Sequence, residues 1–219
     1  MLKIIKTTIC VIIILLALGG PFAFAERKYI GYYLQKDPPL SGYYGVKAYV
    51  NTIDQTVPSG SNFYCEWVTI ILSYANGYWI QCGYNKGYDS PTSGALYWYV
   101  ELMDSTTEDP EINWWYQPTA NNYYTYFVEE DSTYDWKAGV FGQFIDYLDS
   151  DPFWSVDLQT FVEATTDDIV INGTDFQYLE YKGNHDWNLW DQHVSGSNSS
   201  VWWIVDASEH YEWEAFREP

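Results

Sequence analysis

Basic residues are scarce in this chain: 10 Lys and Arg stand against 30 Asp and Glu, a formal charge of −20. Such a surface repels phosphate backbones, so nucleic acid is excluded as a partner. Cysteine is scarce too. Cys10 lies in an N-terminal leader, which leaves Cys65 and Cys82. With His185, His193 and His210 these show no zinc-ligand spacing, so no metal and no cofactor is expected. A glycine-rich phosphate loop is missing, as is a Gly-x-Ser-x-Gly elbow, and the late histidines have no obvious serine partner. Helix-period runs are missing as well, apart from a possible short helix in FGQFIDYL (141–148). No apolar run after the first 25 residues is long enough to cross a bilayer.

Residues 1–25 read as a signal peptide. Lys3 and Lys6 give a basic start, Ile9 to Leu18 an apolar centre, and Ala23-Phe24-Ala25 a small-x-small cleavage site. The expected product is therefore secreted, starts at Glu26, and does not insert into a membrane after cleavage. A monomer is expected. Low hydrophobicity with high charge signals disorder, but aromatics at 20% argue for a packed core. High salt, which screens repulsion, and acid, which neutralises carboxylates, both suit the charge.

Residues 26–43, with Pro38-Pro39, read as a mobile entry segment, and 44–219 as one domain. Strand-like runs dominate that domain: VKAYVNTI, YCEWVTIIL, YWIQCGY, ALYWYVELM, NWWYQ, YYTYFVEED, VFGQFI, DLQTFVEATT, IVIN, FQYLEYK and SVWWIVD. Turn signals separate them, at Pro58-Ser59-Gly60, Asn76-Gly77, Ser90-Pro91, Asp109-Pro110 and Pro118. Many short strands at this spacing imply an all-β, antiparallel two-sheet sandwich or jelly roll. Asp104, Glu108, Asp109 and Glu111 read as a solvated acidic turn rather than a calcium site. Asn172-Gly173-Thr174 and Asn198-Ser199-Ser200 match glycosylation acceptors.

FYCEWVTIILSYANGYWIQCGYN, residues 63–85, is the most informative stretch. Two aromatic, β-branched runs flank Ala75-Asn76-Gly77, a hairpin signal. Pairing Tyr74 with Tyr78 sets 71 opposite 81 and 67 opposite 85. Side chains alternate along a strand, so Trp67, Gln81 and Asn85 then share one face. An indole and two amides on one face read as a binding or catalytic floor, or as a wet outer face with incidental polar residues. The same register sends Cys65 and Cys82 to opposite faces, which makes a disulfide geometrically poor.

EWVTI and YWIQCGYN, followed by ALYWYVEL, resemble the corresponding stretch of the glutamic peptidases: fungal eqolisins and, more distantly, plant neprosin. In eqolisins a Trp strand leads into a strand bearing a catalytic Gln, and Trp67 and Gln81 stand at that place. The eqolisin pattern has Asp soon after the Gln, where this chain has Asn85. Neprosin-type enzymes carry Glu where Gln81 stands. The second catalytic residue of the family is a Glu on a later strand, and Glu163 in DLQTFVEATTDD matches it in position. The resemblance covers about residues 43 to 181. It implies a concanavalin-like sandwich and a Gln81/Glu163 pair that activates water for attack on a peptide bond at acid pH. Trp67 and Asn85 would bind the polypeptide substrate.

The pair is chemically coherent. A carboxylate can take a proton from water and pass it to the leaving amine. A neutral amide can hold the water and donate to the oxyanion. The alternative function is a non-catalytic, lectin-like sandwich that binds polysaccharide, which 12 Trp and 22 Tyr also suit. A glycosidase would need two facing carboxyls. Glu66 alternates with Trp67 and points away from Gln81, and Glu101 is a further carboxyl without an assigned place.

Overall fold

A computed structural model describes residues 27–34, 42–58, 63–87, 90–105, 107, 109–133, 135–149, 155–166, 168–184, 186–206 and 209–217. The leader, its cleavage site, Cys10, Glu108 and His185 lie outside the described residues, as do residues 35–41.

Fifteen described strands form two antiparallel sheets. The first runs β13 (His193–Ser197), β1 (Lys28–Leu34), β10 (Asp157–Ala164), β3 (Phe63–Ser73), β4 (Tyr78–Gly87), β5 (Leu96–Met103), β6 (Glu111–Trp114). The second runs β14 (Trp202–Asp206), β15 (Trp213–Arg217), β11 (Thr174–Gly183), β2 (Gly45–Thr52), β7 (Asn122–Glu130), β8 (Trp136–Val140), β9 (Phe144–Leu148), with β12 (Asp186–Leu189) paired to β11. This is the all-β two-sheet sandwich expected from the spacing of strands and turns. FGQFIDYL is not helical: Phe141–Gln143 turn and Phe144–Leu148 is β9. IVIN is not a strand either, although Ile169 and Ile171 are buried in the loop they occupy.

Alternation sorts each strand between core and outer face. Tyr64, Val68, Ile70, Ile80, Tyr84, Val100 and Val162 of the first sheet meet Val46, Ala48, Val50, Tyr126, Val128 and Phe176 of the second. The C-terminal strands join both sheets. Trp213 is fully buried, stacks on Phe176 at 4.4 Å and donates its Nε1–H to Thr160 Oγ1 across the sandwich.

Lys28–Leu34 is a strand within the first sheet, between β13 and β10, and not a mobile entry. Ile30, Tyr32 and Leu34 alternate into the core, and this two-residue pattern outweighs the later Pro38-Pro39 that made the segment read as a lead-in. The side chain of Asn198 helps fasten β1: its Oδ1 accepts from Tyr29 N at 2.8 Å and its Nδ2 donates to Arg27 O. A glycan on that nitrogen would compete with the second bond.

The β3–β4 hairpin closes through Tyr74–Gly77, with Gly77 at φ +70°. Gln81 faces Thr69 and Asn85 faces Cys65. This register is offset by two residues from the expected one, with an irregularity between Ile71 and Ser73. An even offset preserves the faces, so Trp67, Gln81 and Asn85 do lie on one side. Cys65 also lies there, whereas Cys82 points into the core and donates to Gly139 O at 3.2 Å. The two form no disulfide.

Candidate active site

The outer face of the first sheet carries the sequence-predicted residues. Register places Gln159, Thr69, Gln81 and Glu101 in one row across β10, β3, β4 and β5. The next row is Phe161, Trp67, Gly83 and Tyr99, and the one after it Glu163, Cys65, Asn85 and Tyr97. This face has no second sheet over it, yet Trp67, Gln81, Asn85, Tyr99, Gln159 and Glu163 are all buried. The rings of Tyr29, Phe63 and Trp114 pack against its aromatic cluster of Trp67, Tyr99 and Phe161. Gly83 makes the close strand approach possible. A Cβ there would lie 2.1 Å from Glu66 O and 2.8 Å from Trp67 Cβ.

Gln81 is held by its neighbours on β5. Its Nε2 donates to Tyr99 Oη at 3.0 Å and to a carboxylate oxygen of Glu101. An amide nitrogen has two hydrogens, so both are engaged. The amide as placed presents Oε1 to a ligand and has no N–H left for an oxyanion. The group that can donate there is the Tyr99 hydroxyl, which accepts from Gln81 and still carries its own proton. Burial pushes the Tyr99 pKa well up, and the nearby charges of Cys65, Glu101 and Glu163 push it further, so it stays a donor.

Glu163 does not hydrogen-bond Gln81. Its Oε1 takes an ion pair from Arg27 Nη1 at 2.9 Å, and the guanidinium lies 5.2 Å from the Phe63 ring centre. The two carboxylates share one electrostatic environment: Arg27 senses both Glu163 and Glu101, as does Tyr99. Trp67 stacks on Phe161 at 5.3 Å. Three polar atoms of this face, Trp67 Nε1, Trp79 Nε1 and Asn85 Oδ1, are buried without a hydrogen-bond partner among the described residues. Buried unpaired donors and acceptors are costly, and a bound ligand is one way to satisfy them.

A small cavity of about 20 Å³ opens beside Gln81, between Trp67, Ile71, Tyr74, Trp79 and Gln159. Behind it Asp157 accepts from the Tyr74 hydroxyl, from Leu158 N at 2.8 Å and from Gln159 Nε2 at 3.3 Å. Burial nevertheless raises its pKa to about 6. Among the described residues no group of His, Cys, Asp and Glu could hold a metal ion. Asp104 is fully buried rather than part of a solvated turn; its N–H caps Thr107 Oγ1 at 3.0 Å. Glu66 is buried on the core side, away from Gln81.

Sequence reasoning left three contributors unassigned: Glu101, Tyr99 and Arg27. The first two were within reach. The Ser90-Pro91 turn makes β4 and β5 a second hairpin, and centring it on Pro91 sets Gln81 opposite Glu101. Arg27 depends on β1 pairing with β10, a contact between residues 136 positions apart in the chain that no local signal announces.

No protein-family model matches the sequence, and no curated protein does. Among solved structures the fold is similar to scytalido-glutamic peptidase with a peptide-based transition-state analog. That match has a TM-score of 0.61 at 12% identity and covers 88% of this chain and 99% of that one. A second structure of the same peptidase, with a transition-state analog inhibitor, gives a TM-score of 0.59 at 12% identity over the same shares. At this identity the likeness is one of fold: the chain has the two-sheet architecture of a glutamic peptidase.

Proposed function

We propose that the chain is a secreted endopeptidase of glutamic type, hydrolysing polypeptides in acid with Gln81 and Glu163 as its catalytic residues. The observation that carries this reading is the fixed amide. Gln81 is locked between Tyr99 and Glu101 on a buried polar floor that also holds Glu163, in a fold shared with scytalido-glutamic peptidase.

The groups divide the work as follows. Gln81 Oε1 accepts a hydrogen from the attacking water, and the Glu163 carboxylate takes the other proton as the oxygen adds to the peptide carbonyl. The Tyr99 O–H donates to the oxygen that becomes negative. Collapse of the tetrahedral species breaks the C–N bond, and Glu163 returns its proton to the leaving amine. Glu101 positions Gln81 and fixes which end of the amide faces the substrate. Arg27 positions Glu163 through Oε1. Trp67 Nε1 and Asn85 Oδ1 would bond the substrate backbone.

A sugar-binding reading of this same face is less well supported. Sugars stack on exposed ring faces, but Trp67, Trp79 and Tyr99 are only 6%, 4% and 3% exposed. The deciding experiment uses purified residues 26–219 and denatured casein between about pH 2 and 7. Cleavage is expected at the acid end, with a chelator and with serine and cysteine reagents present. Glu163→Gln should abolish it, and Gln81→Ala should lower it by about 10²-fold, because the attacking water loses the acceptor that orients it. Absence of cleavage throughout that range refutes the proposal.

A further inference from the structure

A cluster of exposed aromatic rings lies on the opposite side of the molecule. The outer face of the second sheet should read polar by alternation, since Val46, Ala48 and Val50 of β2 turn inward. Instead Tyr49, Tyr178 and Phe141 are 36%, 54% and 79% exposed. With Lys47, Thr125 and Glu180 they line an open groove of about 460 Å³. Rings continue on either side: Tyr123 stacks on Tyr49 at 5.0 Å, and Tyr211 lies parallel to Tyr178 at 6.3 Å. A contiguous apolar patch of this kind marks an interaction site.

Tyr178 is placed there at a conformational cost. Its φ is +50°, where the other described non-glycine residues with positive φ are both Asn. It sits in the register shift of β11 between Gln177 and Glu180. Simple alternation from the buried Phe176 would turn Tyr178 into the core. The bulge buries Leu179 instead and sends the tyrosine out. Bulges that re-aim a side chain recur at functional positions, and the core gains nothing from this one that Leu179 does not supply.

We infer that this groove binds a neutral polysaccharide, with pyranose rings against Tyr49 and Tyr178. The charges of the groove fix the ligand class. Lys47 and Glu180 pair at 2.9 Å, and Lys47 also lies 4.2 Å from the Trp187 ring centre, so the groove's cation is already committed. An anionic ligand would also meet a molecule of net charge −20. A second copy of this chain meets the same repulsion. The two charged residues that line the groove, Lys47 and Glu180, neutralise each other, so it fits an uncharged ligand with an apolar C–H face for the rings and a rim of hydroxyls. Thr125 Oγ1 and the hydrogen-bonding capacity that the Lys47–Glu180 pair does not use on itself can bond that rim. The inference stands apart from the peptidase reading, because the two faces belong to different sheets.

The test is native gel electrophoresis through hydroxyethyl-cellulose, laminarin or galactomannan, using residues 26–219. Retardation is expected in at least one of the three gels. Tyr49→Ala and Tyr178→Gly should weaken it roughly tenfold, the scale of losing one ring contact. Gln81→Ala should leave it intact. Tyr178→Gly suits the local backbone, so it removes the ring without threatening the fold. Casein cleavage by Tyr178→Gly should match the parent. No retardation in any gel overturns the inference, as does retardation that both tyrosine variants keep or that Gln81→Ala abolishes. A dimer in the absence of polysaccharide that Phe141→Ser dissociates would make a second copy the occupant, and would also overturn it.

Discussion

Glu66 offers a quantitative test of how this fold responds to pH. It is 1% exposed, in the core between the two sheets. Thr174 donates to its Oε1 at 3.0 Å, and the Tyr64 hydroxyl approaches more closely still. Desolvation outweighs these bonds and raises its pKa from 4.5 to about 7. A raised pKa means that the folded protein holds this proton more tightly than the unfolded chain does. The stabilisation is therefore complete below pH 4.5 and is lost as pH rises to about 7. At 1.36 kcal/mol per pH unit the loss is about 3 kcal/mol, enough to dominate the pH dependence of a marginally stable domain.

Glu66→Gln isolates that contribution. The amide oxygen can keep the Tyr64 and Thr174 bonds, and the titrating proton is gone. Urea denaturation of wild type and variant should be followed at half-unit steps from pH 4 to 8. Wild type should lose stability relative to Glu66→Gln across pH 4.5–7, with the difference levelling off above. Asp157, raised to about 6, titrates in both proteins and cancels in the difference. Parallel curves over the whole range would show that Glu66 does not carry its proton into the neutral range, and the reasoning would fail.

Other expectations follow from the site and the packing. Tyr99→Phe should lower kcat roughly 10²–10³-fold with KM little changed, because the donor acts on the oxyanion; an unchanged kcat would remove Tyr99 from the mechanism. Glu101→Gln should lower kcat with KM and the melting temperature nearly unaltered, since it loosens the hold on one end of Gln81; an unchanged kcat would make Glu101 merely structural. Gly83→Ala should destabilise by roughly 1–3 kcal/mol, read by urea midpoint, because its Cβ meets backbone rather than a yielding side chain. Cys65 and Cys82, both buried, should react with a thiol reagent only after denaturation, and intact mass should not change on reduction.

The parts of this architecture legible in the sequence are those set by short-range rules. Period-two alternation and turn residues define β2 to β5, β7 and β10 closely. The face shared by Trp67, Gln81 and Asn85 survived a two-residue error in hairpin register because faces repeat every second residue. Alternation reads poorly where a loop buries apolar residues without pairing them, as at Ile169 and Ile171, and where a bulge breaks it, as at Tyr178. Strand order across each sheet is a matter of tertiary packing. Nothing local says that β1 lies beside β10, and the Arg27–Glu163 ion pair is a consequence of that placement.

The choice between acid and high salt was open from composition, because both relieve a charge of −20. Acid and salt act differently on the buried carboxyls. Salt screens exposed charges but does little for an acid sealed in a core, where the cost is desolvation. Glu66 and Asp157 are both raised by burial, so protonation removes that cost and salt does not. In acid both are held in their neutral, hydrogen-bonding form, in the range where the proposed chemistry at Gln81 and Glu163 would run. Raising salt to 2 M at pH 7 should therefore recover less stability than lowering the pH to 4 at low salt. The opposite order in urea midpoints would point to a saline habitat and would weaken the case for an acid-working site.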